Sequence, residues 1–298
     1  MASSRMIAIR ILGALLLFSL LFPAVARAQD PSGTAPLTAF GLGARPLGMA
    51  GAFTALADDA NALYYNPAGL ATLRTAQLTS LYASPFGLFD SYALGVAWPG
   101  FGAAYLSYRV DDIPATDPMG NPSGPDLAAS EQLLILSYAH AFNPADHLAL
   151  SLKYDHQALG SETGSGFALD AGILSSPPGT PYRLGLTFRN LGGRMRYSTG
   201  SSDAFDPAVV LGLAYAAERL TVALDQELPG PLRVGAEYRT ASFVTLRAGL
   251  RWEEQLRLNH VTYTGGLGLD LGSVSVQYAY EQPPLLGGTH RLSLEVRF

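Results

Sequence analysis

The sequence predicts an all-β fold: a transmembrane antiparallel β-barrel of about fourteen strands with an N-terminal luminal hatch. Three observations predict it. The N-terminus reads as an export leader, the rest alternates with period two up to the last residue, and every second connection between alternating stretches is short.

The leader comes first. Arg5 and Arg10 give a positive start, Ile11 to Phe22 is a short apolar core, and Ala26-Arg27-Ala28 is a small-residue cleavage site. That core is too short to span a bilayer as a helix, so 1–28 reads as a signal peptide cleaved near Ala28. No cysteine follows it, which argues against a lipid anchor, and with no cysteine anywhere in the chain an exported protein must find its stability without disulfides. Loss of the leader removes three arginines and no acid, leaving 16 basic and 24 acidic residues and a formal charge of −8. A nucleic-acid partner would need a basic footprint and is excluded on that ground. Charged residues are 14% of the chain against 48% apolar, lean for a soluble domain, where about 25% charged is usual.

The alternation is clearest at the end. Leu292, Leu294, Val296 and Phe298 alternate with Arg291, Ser293, Glu295 and Arg297, so a strand here has one greasy and one charged face. Val244 to Trp252, Leu232 to Tyr238 and Leu148 to Tyr154 repeat the pattern. Strands are expected at 75–84, 89–98, 101–111, 130–142, 146–157, 165–174, 182–190, 207–216, 219–226, 231–239, 242–252, 259–270, 273–281 and 288–298, most near the ~9–11 residues that cross a bilayer at a tilt.

With Phe298 at the periplasmic end, the periplasmic connections are 99–100, 143–145, 175–181, 217–218, 240–241 and 271–272, all short, while the two longest connections, 112–129 and 191–206, fall outside. Trp98, Tyr154, Phe188, Tyr215, Tyr238, Trp252, Tyr280 and Phe298 lie near strand ends on the greasy face, where amphipathic rings favour the headgroup level. Phe298 reads as the C-terminal insertion signal offered to the outer-membrane assembly machinery. A soluble β-sandwich or propeller also alternates, but neither explains the low charge, the uniformly apolar outward faces or the lack of a blade repeat. The expected product is a monomeric barrel in the bacterial outer membrane, with membrane lipid around it.

Residues 29–74 differ from the barrel segment 75–298. Gly41, Gly43, Gly48 and Gly51 give closely packed, turning backbone. Asp58 and Asp59 precede Ala60 to Tyr65, which suggests a capped helical turn, and Asn66-Pro67-Ala68-Gly69 stops it. The segment is too short for a domain and suits a plug inside the barrel. The run GARPLGMAGAFTALADDANALYYNPAGLATL, Gly43 to Leu73, resembles the N-terminal signature of the PorV/PorQ family of outer-membrane barrels, related to the long-chain fatty-acid transporter FadL. The resemblance covers about thirty residues by motif and the mature chain by architecture. It implies a fourteen-stranded barrel with a luminal hatch, and a hatch turn at Asn66, Pro67, Ala68 and Gly69 associated with ligand-gated opening. FadL proteins proper are longer and carry large outer loops; the loops at 112–129 and 191–206 are modest. PorV-type members serve type IX secretion by binding cargo or translocon subunits.

Asp58 and Asp59 admit two readings, acid–base or cation chemistry against capping and hatch hydrogen bonds. The histidines, His140, His147, His156, His260 and His290, show no i, i+2 pair for a metal, and Ser161 and Glu162 near His156 are sequence neighbours rather than a triad. No enzyme, metal or cofactor is expected. The lumen face is expected to carry Arg109, Glu131, Lys153, Asp170, Arg183, Arg189, Asp225, Arg233, Glu237, Arg247, Arg251, Arg291, Glu295 and Arg297, read as paired charges filling the lumen around the hatch. Leu133, Ile135 and Val210 face the same way and suit a greasy path. Passive transport of hydrophobic small molecules leads, with contact near Asn66 to Gly69 and exit through the lumen or sideways. The alternative is a sealed barrel that docks secretion-system proteins through a polar 112–129 loop. A general porin fits poorly with a plug.

Overall fold

The computed structural model describes residues 34–117, 119–255, 258–284 and 287–298; the leader at 1–28 and the side chain of His260 lie outside the described residues. The strands are β1 (Gln77–Ser84), β2 (Asp90–Trp98), β3 (Phe101–Ile113), β4 (Leu127–Ala141), β5 (Asp146–Leu159), β6 (Glu162–Ser175) and β7 (Tyr182–Tyr197). After them come β8 (Ser202–Ala204), β9 (Ala208–Ala216), β10 (Leu220–Leu228), β11 (Leu232–Ala241), β12 (Val244–Gln255), β13 (Leu258–Asp270), β14 (Val274–Gln282) and β15 (Thr289–Arg297). All pairings between strands are antiparallel. β1 pairs with β15 and β6 with β7, so β1–β7 and β9–β15 close a fourteen-stranded barrel. The short β8 hangs on β7 outside the ring. Closure removes the sheet edges, which lipid requires because it offers no hydrogen bonds to unpaired backbone.

Each expected strand is found, within a few residues at each end except at β7. That strand was expected to stop at 190 but runs to Tyr197 and turns back as β8, so the expected 191–206 loop holds a hairpin. Its register against β6 shifts twice, between Phe167 and Leu169 and between Leu169 and Ala171, and Asn190 takes φ +57°. Each extra residue flips the facing of the residues beyond it, which hides period-two alternation from a sequence reading.

The outward face is a belt of exposed Leu94, Leu134, Leu136, Leu148, Leu150 and Leu152. Aromatic pairs bound it: Trp98 stacks on Phe101 at 5.2 Å toward the end that carries Phe298, expected from the sequence to be periplasmic, and Tyr154 meets Phe167 at 4.9 Å toward the opposite end, expected to be the outer one. Two of the expected lumen charges are not inside. Arg109 is exposed and pairs with exposed Asp111 at 2.8 Å, where β3 rises past the apolar belt, and Arg297 pairs with Asp270 at 3.6 Å on the periplasmic rim.

Residues 34–76 pass down the lumen before β1. They form three single-turn helices, α1 (Leu37–Phe40), α2 (Ala44–Gly48) and α3 (Ala62–Tyr65), and a 3-10 turn at Pro67–Thr72. α1 packs on β4, α2 on β12 to β15, and the 3-10 turn on β3 to β6. Wall glycines admit this backbone. A Cβ on Gly235 would lie 2.6 Å from the Met49 carbonyl oxygen, and one on Gly172 would overlap the Asn66 side chain.

Candidate functional site

The hatch is held by its own motif residues. Arg45, from the G-A-R run, reaches Asp58 and Asp59 at 2.7 Å each and Glu237 of β11 at 3.0 Å. Asp58 also meets Arg183 of β7 at 3.1 Å, and Asp59 accepts from the Asn61 backbone N–H at 2.8 Å. Thus the two acids act as a clamp on one guanidinium, and α3 is capped by no side chain. Burial favours the neutral form of the Asp58 carboxyl, but Arg45 and Arg183 outweigh it and hold the group below the usual carboxylate range. For Asp59 burial prevails over Arg45, with Asp58 adding to it, and the group is pushed up. Burial disfavours the charged form of Arg45, yet Asp58, Glu237 and Asp59 outweigh this and keep it firmly protonated.

The Asn66-Pro67-Ala68-Gly69 turn lies at the periplasmic half of the lumen, wholly buried. Asn66 Nδ2 donates to Thr54 O and to Ile173 O of β6, each at 2.9 Å, and its Oδ1 accepts from Ala68 N–H at 3.2 Å. Pro67 starts the 3-10 turn where no N–H is needed. Gly69 is required because a Cβ there would overlap the Ala57 carbonyl. Thr187 Oγ1 and Arg189 Nη2 of β7 donate to Tyr65 O at 3.3 and 3.4 Å, so the wall grips both sides of the turn. The structure therefore brings Asp58 and Asp59 together but keeps Asn66 to Gly69 as a separate, wall-bound turn.

The lumen has two unlike sides. Across β9 to β15 it is ionic: Glu227 meets Arg233 at 2.6 Å, Arg247 meets Glu237 at 2.6 Å, and Glu281 meets Arg251 at 2.8 Å and Arg291 at 2.7 Å. Asp225 accepts from the Phe53 and Thr54 N–H groups at 3.0 and 2.9 Å. Across β2 to β4 it is apolar. Ala93, Ala97, Ala104, Leu106, Leu133, Ile135 and Ala139 line the inner wall and pack on Leu42, Leu63 and Leu70 of the hatch.

This apolar side ends at the outer mouth in three rings, which sequence reading missed. Phe40 of α1 stacks on Tyr108 of β3 at 5.6 Å, and Phe89, just before β2, lies 5.4 Å from Tyr108 and 6.1 Å from Phe40. Outside them, on the outward face of β2 to β4, an open groove of about 560 Å³ is lined by Phe89, Asp90, Tyr92, Tyr105, Arg109 and Gln132. Phe40 ends a single-turn helix and Phe89 sits just before β2, and their meeting depends on barrel closure, so no local signal could have found it.

Fourteen strands closed around a luminal N-terminal segment define a class of barrel. The chain shares this fold with a Pseudomonas aeruginosa FadL homologue (TM-score 0.57, 12% identity, covering 86% of this chain and 98% of that one). It shares it also with the Ralstonia pickettii toluene transporter TbuX (0.59, 13%, 87% and 98%) and the P. putida toluene transporter TodX (0.61, 12%, 87% and 99%). No family model and no curated protein sequence matches the chain, so the PorV/PorQ resemblance stands on its motif residues alone.

Proposed function

We propose that the chain is a bacterial outer-membrane barrel that passes hydrophobic small molecules, with the three-ring mouth as first contact. The observation that carries this reading is the apolar side of the lumen, which bears the acids Glu131 and Asp155 only at its outer end. It runs from Phe40, Phe89 and Tyr108 through Leu106, Leu133 and Ile135 to Ala139 at the periplasmic end, while the ion pairs stand across the lumen. An apolar solute that keeps to this side avoids desolvating the arginines and carboxylates opposite. Solved barrels of the same fold include transporters of toluene, which supports the solute class. Asn66 to Gly69 are proposed as the hatch turn that the solute must displace near the periplasmic end.

A second reading has its own support. Arg45 joins hatch and wall through three carboxylates, and the outer 114–126 loop is polar. Both suit a sealed barrel that binds secretion partners of the type IX kind. Uptake of a labelled aromatic hydrocarbon into proteoliposomes separates the two. Transport predicts saturable uptake whose half-saturating concentration rises about tenfold in Phe89→Ser, the loss of ~1.4 kcal/mol of aromatic contact. Absence of uptake by the intact barrel contradicts it and leaves the docking reading.

A further inference from the structure

At the outer end of the apolar side, the inner wall carries two acids with no ion-pair partner among the described residues. Glu131 of β4 and Asp155 of β5 are both 0% exposed. Glu131 pairs in register with Gln157 and Leu133 with Asp155, which makes the acids diagonal neighbours on one face. Their carboxyl groups lie within hydrogen-bonding reach of each other. One Glu131 oxygen accepts from the Leu37 backbone N–H of α1 at 2.8 Å. The Tyr108 hydroxyl approaches Glu131 and the Gln157 amide approaches Asp155, but the other Glu131 oxygen and both oxygens of Asp155 make no well-formed hydrogen bond.

Two ionised carboxylates cannot donate to each other, and burying both unpaired is costly. Lys153 and His156 are near enough to Asp155 to be felt, but neither forms an ion pair with it among the described residues. Lys153, two residues from Asp155, is committed to Asp170 at 2.7 Å. His156 follows Asp155 on the opposite face of β5. Tyr108 faces the pair from β3, and from the far side come Tyr197 of β7 and Asp203 of β8, a neutral phenol and a further acid. No group of three acids or histidines able to hold a metal exists among the described residues. Outward neighbours at this level, Ser130, Gln132 and His156, are polar, so the pair lies above the apolar belt.

We propose that Glu131 and Asp155 share a single proton, and that this acid pair latches the N-terminal segment to the barrel wall. While one carboxyl donates to the other, Glu131 keeps an oxygen for Leu37 N–H, and α1 holds Phe40 over the apolar side. When the proton leaves in alkali, two facing negative charges separate, Leu37 loses its acceptor and α1 is released. The latch does not depend on what the barrel passes.

The chain has no cysteine, so a nitroxide on Ala39→Cys, an exposed position of α1, reports on the segment alone. In purified full-length barrel, the mobile component of its spectrum is expected to grow from minor to major as pH rises from about 6 to about 10. In Glu131→Gln the label should stay immobile throughout, because the amide can donate to Asp155 and its carbonyl can accept from Leu37. Asp155→Asn should do the same and serves if the first variant folds poorly, whereas Glu131→Leu should be mobile at every pH. A label whose mobility ignores pH in the native protein overturns the proposal. So does immobilisation that a chelator abolishes and calcium restores, since a metal ion would then be the bridge.

Discussion

At the residue scale, Arg45 is the side chain on which hatch and wall converge. Removing one partner of a buried ionic cluster strands the others, at a cost of ~3–5 kcal/mol. Arg45→Ala should therefore lower the thermal unfolding midpoint in detergent and raise hydrogen exchange across α2 and α3; unchanged exchange would show that the carboxylates find other partners. Acid acts on the same cluster. Asp58 is held below its usual range, so its contribution is whole at neutral pH and is lost as pH falls through that depressed value. Asp59, which is pushed up, weighs the other way, favouring the fold below neutrality. Exchange of the hatch should thus rise in strong acid in the native protein, and Asp58→Asn should remove that rise. Gly69→Ala forces a Cβ into the Ala57 carbonyl and should cost ~1–3 kcal/mol, read by the same unfolding midpoint. The sequence showed these residues as a motif but not what they do. Arg45 and Glu237 are 192 positions apart, and only closure of the barrel makes them neighbours.

At the scale of elements, regular strands were legible because one face meets lipid and the other the lumen, which imposes period two on the residues themselves. β15 is the plainest case, with Leu292 and Leu294 out and Ser293 and Glu295 buried. The reading failed where backbone geometry breaks the period, at the two register shifts of β7, and on β3, where Arg109 continues the outward face of Phe101 and Tyr105 while Leu106 and Tyr108 face the lumen. The hatch was legible as glycine-rich and non-periodic, but its three helices are single turns, too short to carry an amphipathic pattern. Phe298 belongs to this scale as well. Its backbone N–H bonds to Ala76 O at 3.0 Å while its ring is exposed. Phe298→Ala keeps that bond, so the folded barrel should melt unchanged while less of it reaches the outer membrane in cells. An equal loss of melting temperature and of yield would instead make the ring a stability element.

At the scale of the molecule, the barrel is polarised across its lumen rather than along its axis. Paired charges hold the hatch to β9–β15, and apolar packing holds it to β2–β4. Apolar contacts are non-directional and re-form with a bound solute, whereas a broken buried ion pair leaves uncompensated charge. In the proposed function, the apolar side is accordingly the one along which a solute would pass while the hatch stays anchored opposite. The most direct measurement is made on one proteoliposome preparation, tracking uptake of a labelled aromatic hydrocarbon and leak of a small ion together. The account predicts saturable hydrocarbon uptake with no ion leak in the native protein, and ion leak only when residues 34–74 are deleted. Ion leak by the intact barrel, or a native protein that passes neither, would contradict it.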